Sequence, residues 1–272
     1  MKTVAQALSA ARARGLDRLD THMLLTHLMQ KSRSWLLAND DAVLNEEQQQ
    51  LMHSLIERRA SGEPVAYLLG QKEFYGLTLR VSSAVLVPRP DTETLVDWAL
   101  ELMRGFSAPA SVLDMGTGSG AIALALKHNL PSARVTALDA SAGALEVAMH
   151  NATQLQLDVQ FLQSDWWERV TGQRFNLIVS NPPYVSGDDE HLVALQHEPQ
   201  MALTPGGDGL GALRHIAAGA PAHLNSGGWL LLEHGHNQAP AVTAMLVEQG
   251  FGLVTTRHDL AGIPRCTGGR LH

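Results

Sequence analysis

Val112-Leu113-Asp114-Met115-Gly116-Thr117-Gly118-Ser119-Gly120-Ala121 is the stretch that decides the fold. A short apolar run ends in an acid, glycines follow at alternate positions, and Ala121 to His128 then reads as a helix. This is a buried strand turning sharply into a helix, with glycines that let the backbone come close to a ligand. Downstream the pattern repeats. Arg134 to Leu138 reads as a strand ending at Asp139, Ser141 to about Thr153 as a helix, and Val159 to Leu162 as the next strand. Phe175 to Val179 and Trp229 to Glu233 supply two more. Such alternation implies a mostly parallel sheet with helices on both faces. Gly250-Phe251 and the tail from Arg265 are expected to supply the last, antiparallel strands.

Upstream, Leu77, Leu79 and Val81 alternate with Thr78, Arg80 and Ser82, the period of a strand. Val85-Leu86-Val87 reads as its partner before Pro88-Arg89-Pro90, so a β-hairpin is expected, followed by a helix capped by Asp91 and carrying Leu95, Val96, Trp98 and Leu102. Residues 1 to about 62 read as helix. Met23, Leu24, Leu28 and Met29 lie on one side, and Trp35 to Leu37 add apolar surface. Asn45 and Gln48 form a capping box ahead of Leu51, Leu55, Ile56 and Arg59, and Gly62-Glu63-Pro64 stops the run. The expected organisation is a helical domain over 1–73, a hairpin linker over 74–90 and an α/β domain over 91–272.

The 272 residues are 45% hydrophobic, enough for a sizeable core, and the net charge of −7 argues against a broad electrostatic grip on nucleic acid. Cys266 stands alone, so no internal disulfide can form and a reducing cytoplasm is expected. The start, Met1-Lys2-Thr3-Val4, leads into a polar helix with no signal-peptide core, and no apolar run reaches the ~20 residues of a membrane span. His234 and His236 lie two apart with no further ligands at usable spacing, so no metal is expected. No exposed apolar seam is evident, which makes a monomer the default.

On its own the glycine loop fits either a dinucleotide or a nucleoside cofactor. Gly116-x-Gly118-x-x-Ala121 even satisfies the dehydrogenase fingerprint. Asp139 sits where an acid takes hydrogen bonds from a ribose diol. Asp114 suits a cofactor carrying an amino group and a sulfonium, Asp165 follows the third strand where an adenine amino group needs an acceptor, and Trp166 offers a ring for stacking. Three acids after three successive strands resemble the Rossmann-like methyltransferases, which implies S-adenosylmethionine.

After the fourth strand comes Ser180-Asn181-Pro182-Pro183-Tyr184. A methyl donor of that kind is already activated, so the protein must position a weak nucleophile and exclude water. Where the nucleophile is a conjugated nitrogen, two acceptors aimed at its N–H groups hold it and stabilise the positive charge that grows on it. The Asn181 side-chain oxygen and the Pro182 carbonyl are the candidates, Pro183 stiffens the backbone, and Tyr184 offers a flat face. This motif resembles that of amino-methyltransferases acting on adenine N6 and on glutamine N5, and does not separate them.

The flanking segments do. Gly62 to Gly70, Phe74-Tyr75-Gly76 and Pro88 to Glu93 resemble the segments joining the two domains of the peptide-chain release factor glutamine methyltransferases (the PrmC/HemK family). So do Gln163 to Trp166, Glu198-Pro199, Ala202-Leu203, Leu231 to Gly235 and Gly269-Arg270. The resemblance implies a seven-stranded class I methyltransferase domain behind a small helical bundle. It implies methylation of the glutamine in the Gly-Gly-Gln motif of class I release factors, with Gly116 to Gly120, Asp139 and Trp166 on the cofactor and Asn181 to Tyr184 on the glutamine. The alternatives are a DNA adenine-N6 methyltransferase and a cofactor-binding module without catalysis. The absence of a basic stripe weighs against the first, and the intact motif at Asn181 to Tyr184 against the second.

Overall fold

The computed structural model describes residues 1–106 and 109–272, and these divide into two compact units, Met1–Gln71 and Lys72–His272. The first unit is helical, with helices Val4–Ala13, Arg18–Met29, Arg33–Ala38, Glu46–Ala60 and a short Val65–Leu69. The helices close over a core that includes Val4, Ala7, Leu24, Leu25, Leu36 and Met52. The Asn45–Gln48 capping box has both of its reciprocal hydrogen bonds, at 2.8 and 3.0 Å. Helix faces are turned by a residue from the expected ones. Met52 rather than Leu51 joins Leu55 and Ile56 inside, while Met23 and Leu37 are exposed. The i, i+3, i+4 spacing of residues 52, 55 and 56 fits one helical face better than a set beginning at residue 51.

Strands β1 (Gln71–Phe74), which begins at the boundary, and β2 (Leu77–Arg80) form a two-stranded sheet. Tyr75 and Gly76 between them both have positive φ, 51° and 77°, as a tight two-residue hairpin turn requires. The hairpin therefore lies earlier than expected, and Val85–Val87 is not a strand. Val85 N–H goes to the Ser82 carbonyl and Val87 N–H to a Glu198 oxygen, which leaves no ladder to join. Asp91 is not a helix cap either. A 3₁₀ turn over Pro90–Thr92 precedes the helix Glu93–Met103, and the Asp91 carboxylate instead meets Arg265 at 3.0 Å.

The main sheet has strands β3 (Ser111–Met115), β4 (Arg134–Asp139), β5 (Gln160–Gln163), β6 (Phe175–Ser180), β7 (Leu224–Glu233), β8 (Phe251–His258) and β9 (Pro264–Leu271). Their spatial order is β5-β4-β3-β6-β7-β9-β8, with β9 antiparallel to β7 and β8 and the rest parallel. Side chains alternate between the faces, so Val112 and Leu177 enter one core while Leu113 and Ile178 enter the other. That is why these strands read as continuous apolar runs. The chain runs outward from β3 to β5, then returns to start β6 on the other side of β3. The switch opens a crevice at the carboxyl ends of β3 and β6, where such sheets bind ligands. Here Met115 is partnered with Ser180, whose hydroxyl donates to the Met115 carbonyl at 2.6 Å.

Candidate active site

The loop after β3 is held from below. Asp114 is fully buried, and its Oδ2 accepts from the Thr117 hydroxyl at 2.7 Å and from Ala123 N–H at 3.2 Å. Ala123 lies in the first turn of the helix Ala121–Asn129, whose free N–H groups would otherwise serve an anion. An acid from the chain itself therefore takes one of the N–H groups at this helix N-terminus. Gly120 has φ +84°, and a Cβ there would lie 2.9 Å from Leu124 Cδ1 and 3.3 Å from Ala148, so only glycine joins loop to helix without strain.

Asp139, at the end of β4, binds two loops together. Its Oδ2 accepts from Gly118 N–H and its Oδ1 from Ser141 N–H, each at 2.9 Å. Burial pushes its carboxyl up and these hydrogen bonds pull it back, and each oxygen keeps a lone pair for a ligand hydroxyl. Asp165 follows β5, and Trp166 beside it has φ 44°, a left-handed backbone that an aromatic residue rarely adopts. Its carbonyl accepts from the Ser164 hydroxyl at 3.0 Å, which holds that turn.

These residues surround a cavity of about 240 Å³. Gly116, Thr117, Gly118 and Ser119 form one wall, with Asp139, Asp165 and Trp166 beside them and Asn181 and Pro183 opposite. Four of the residues singled out in the sequence do not line it. Asp114 lies beneath the loop, Gly120 packs at the helix junction and Pro182 is buried. Tyr184 turns away, its hydroxyl donating to Glu233 Oε1 at 3.3 Å, and it borders an adjoining hollow of about 390 Å³ with Ser186, Asp208 and Arg265.

Three residues of the site carried no assigned role in the sequence. Thr92 lines the cavity, and its Oγ1 accepts from Asn181 Nδ2 at 3.2 Å. Glu198 is buried and grips the opposite wall, one oxygen accepting from Val87 N–H and the other meeting Arg89. This clamp ties the stretch before Thr92 to the chain that follows the Asn181–Tyr184 motif. Glu233, at the end of β7, is buried, its Oε1 accepting from the Tyr184 hydroxyl, while its Oε2 has no hydrogen-bond partner among the described residues. The signal for Glu233 is a carboxylate that ends an otherwise apolar strand.

Of the two histidines that invite a metal, His236 is exposed and His234 is engaged elsewhere. His234 is buried between the Gly235 carbonyl at 2.9 Å and the Thr267 hydroxyl at 2.8 Å. Among the described residues no group of three or more His, Cys, Asp or Glu side chains is placed to hold a metal, and no helix is long and apolar enough to cross a membrane.

Residues 98–258 match the model of the methyltransferase small domain, and residues 1–70 match the PrmC N-terminal domain. The release factor glutamine methyltransferase of Xylella fastidiosa (strain Temecula1) is 47% identical over 267 residues, covering 97% of this chain and 97% of that one. The protein of the same name from Bordetella pertussis is 48% identical over 260 residues, covering 94% and 96%. The chain belongs to the release factor glutamine methyltransferase family. Among solved structures, the 16S rRNA N2 G1207 methyltransferase of T. thermophilus, in complex with AdoMet and guanosine, matches with a TM-score of 0.53 at 21% identity. That match covers 74% of this chain and 50% of the other, and shows a shared fold. The chain is thus a methyltransferase with a class I fold, and family membership disfavours the DNA adenine alternative.

Asp114 gives this family member a testable pH dependence. Burial pushes its carboxyl from the ordinary 3.8 up to about 7, against the hydrogen bonds from Thr117 and Ala123 that pull it down. The folded chain then binds more protons than the unfolded chain between those two values, so stability falls as pH rises through that window. Glu233, raised by burial to about 7, acts in the same direction. Asp114→Asn keeps an acceptor for both donors but cannot ionise. Its thermal midpoint without cofactor should fall less steeply than that of the wild type between about pH 5 and pH 7. An unchanged slope would place the responsible proton elsewhere.

Proposed function

We propose that this enzyme transfers a methyl group from S-adenosylmethionine to the side-chain amide nitrogen (N5) of the glutamine in the Gly-Gly-Gln motif of class I peptide-chain release factors, modulating translation termination. The observation that carries it is Asn181. Its Nδ2 is committed to Thr92, so Oδ1 is the end of the amide left for a substrate in the cavity that Asn181 lines.

The cavity fits the cofactor. Its lining includes Asp139 and Asp165, and its one arginine, Arg89, is paired with Glu198, so nothing in it is built to neutralise a pyrophosphate. In this reading Asp139 takes the ribose hydroxyls, Asp165 the adenine amino group and Trp166 the ring face, with Gly116 to Gly120 along the cofactor and Asp114 bracing that loop from beneath. S-adenosylmethionine supplies a methyl group already activated on a sulfonium. The protein has to hold the glutamine nitrogen in line, since amide conjugation makes it a weak nucleophile. Asn181 Oδ1 and the Pro182 carbonyl accept its two N–H groups and favour the positive charge that develops there, while Pro183 and Tyr184 support that backbone. No strong base is required, because the methylated nitrogen is acidic and sheds its proton afterwards. The helical region, residues 1–73 in the sequence reading, contributes to docking the release factor. The enzyme acts as a monomer on a protein partner, without nucleic acid or membrane, in the cytoplasm.

The test offers labelled S-adenosylmethionine with a class I release factor, and in parallel with a duplex oligonucleotide. Methyl transfer to a single glutamine, located by mass spectrometry of the Gly-Gly-Gln peptide, is expected. Label in the oligonucleotide, or none in the release factor while cofactor binds, would sink this function.

A further inference from the structure

Asn181 lies one residue beyond β6, so the ladder that fixes Ser180 does not reach its side chain. The two residues that follow, Pro182 and Pro183, have no N–H with which to anchor the motif. Placement is what the transfer demands, since a shift of about 1 Å at a positioning group can cost about a hundredfold in rate. What holds Asn181 must therefore come from outside its own strand.

A closed circuit of bonds supplies that hold. Asn181 Nδ2 donates to Thr92 Oγ1 at 3.2 Å, and Thr92 N–H donates to the Arg89 carbonyl at 3.1 Å across the 3₁₀ turn. The Arg89 guanidinium and Val87 N–H both donate to Glu198, one to each carboxylate oxygen. From Glu198 the chain passes through Pro199 into the short helix Gln200–Leu203, where Ala202 N–H donates to the Pro199 carbonyl at 2.9 Å. The Leu203 carbonyl then accepts from Val185 N–H at 2.9 Å, and four residues of chain lead from Val185 back to Asn181.

The circuit joins residues 87–92, 181–185 and 198–203, and five of the twelve prolines of the chain lie in these three segments. Their fixed φ leaves the segments few ways to absorb a displacement, so movement at one link passes to the next. Arg89, Thr92, Asn181, Pro183, Pro199 and Ala202 line the cavity, whereas Glu198 does not. The Glu198 side chain is 2% exposed, so water does not replace it as the acceptor between Val87 and Arg89. A buried carboxylate is costly unless matched in this way, and the secondary structure on either side of it calls for no acid there.

We propose that Glu198 is a positioning residue, which closes this circuit and thereby holds Asn181 for methyl transfer without touching cofactor or substrate. The effect on glutamine methylation rests on the function proposed above, while the mechanical coupling around the circuit does not.

The experiment compares full-length wild type, Glu198→Ala, Glu198→Gln, Asn181→Ala and the Glu198→Ala/Asn181→Ala double variant at saturating S-adenosylmethionine. Rates are expressed per cofactor-binding site, counted by calorimetric stoichiometry, so that unfolded protein does not register as slow enzyme. Glu198→Ala should lower kcat per site about ten- to a hundredfold, with the cofactor Kd within about fivefold of the wild type. Glu198→Gln keeps an oxygen for Val87 N–H while losing the charge that Arg89 meets, and should lose less. It takes the place of Glu198→Ala throughout should that variant fail to fold. Because Glu198 acts through Asn181, the double variant should stay within about threefold of Asn181→Ala. Wild-type kcat per site in both Glu198 variants would reduce Glu198 to a folding role. Multiplied losses in the double variant would give it a path apart from Asn181, and either result overturns the proposal. A second readout needs no activity. Amide hydrogen exchange followed by NMR on the cofactor-free proteins should quicken about tenfold or more at Val185, across the circuit, as well as at Val87, when Glu198 is replaced. Leu177, in the middle of β6, should be unchanged. Faster exchange at Val87 with none at Val185 refutes the circuit whatever the substrate. A wild type that methylates no glutamine, with variants that show this coupled exchange, refutes the proposed substrate and upholds the circuit.

Discussion

Asn181→Ala should lower kcat for glutamine methylation by about 10²–10³, or ~3–4 kcal/mol, the usual loss when one preorganised hydrogen bond to developing charge is removed. Asn181 lies just beyond β6, whose last residue is Ser180, so no strand pairing is lost. The substitution removes Oδ1 from the cavity and leaves Thr92 without its donor. The proposed cofactor contacts along Gly116 to Ser119 and at Asp139 are untouched, so the Kd for S-adenosylmethionine should stay within about threefold. Single-turnover transfer alongside calorimetric cofactor binding measures both. Transfer at the wild-type rate would refute the role given to Asn181, and joint loss of binding and transfer would make it a cofactor residue instead.

Asp139→Ala should have the opposite profile, weakening cofactor binding by about 10²–10³ with a smaller effect on kcat at saturation. Hydrogen bonds to a charged group contribute about 1.5–3 kcal/mol each, and a ribose diol offers two. The variant also strands Gly118 N–H and Ser141 N–H, so the glycine loop loses its tie to β4. Asp139→Asn retains one accepting oxygen and should fall between the two. Isothermal titration of the three proteins gives the order directly, and a Kd for Asp139→Ala within threefold of the wild type would remove Asp139 from the cofactor site.

Particular elements show why some of this was legible in the sequence. The Asn45–Gln48 box, the period-two run at Leu77, the glycine loop and the acid ending β4 all express physics that acts over a few residues. The hairpin was misplaced for a reason of the same kind. Tyr75-Gly76 is not the Asn-Gly or Asp-Gly pair that usually announces a two-residue turn, and the polar Gln71–Phe74 strand has no strong alternation. Val85–Val87 has the composition of a strand, but its N–H groups are taken by a turn and by Glu198, 111 residues from Val87.

The sequence by itself determined the layer architecture, and it singled out the glycine loop and the Asn181–Tyr184 motif on which the proposed function rests. Periodicity and strand-end chemistry are local, and the rules for parallel crossovers leave few ways to assemble them. Only the tertiary structure decided that Asp114 fills a helix N-terminus rather than lining the cavity, that Tyr184 turns toward Glu233, and that Thr92 holds Asn181 across 89 residues. Those contacts exist because the return of the chain to β6 and β7 brings three distant strand ends and the turn at Thr92 together, and hydrogen-bond direction among buried groups is settled only by which neighbours that packing supplies.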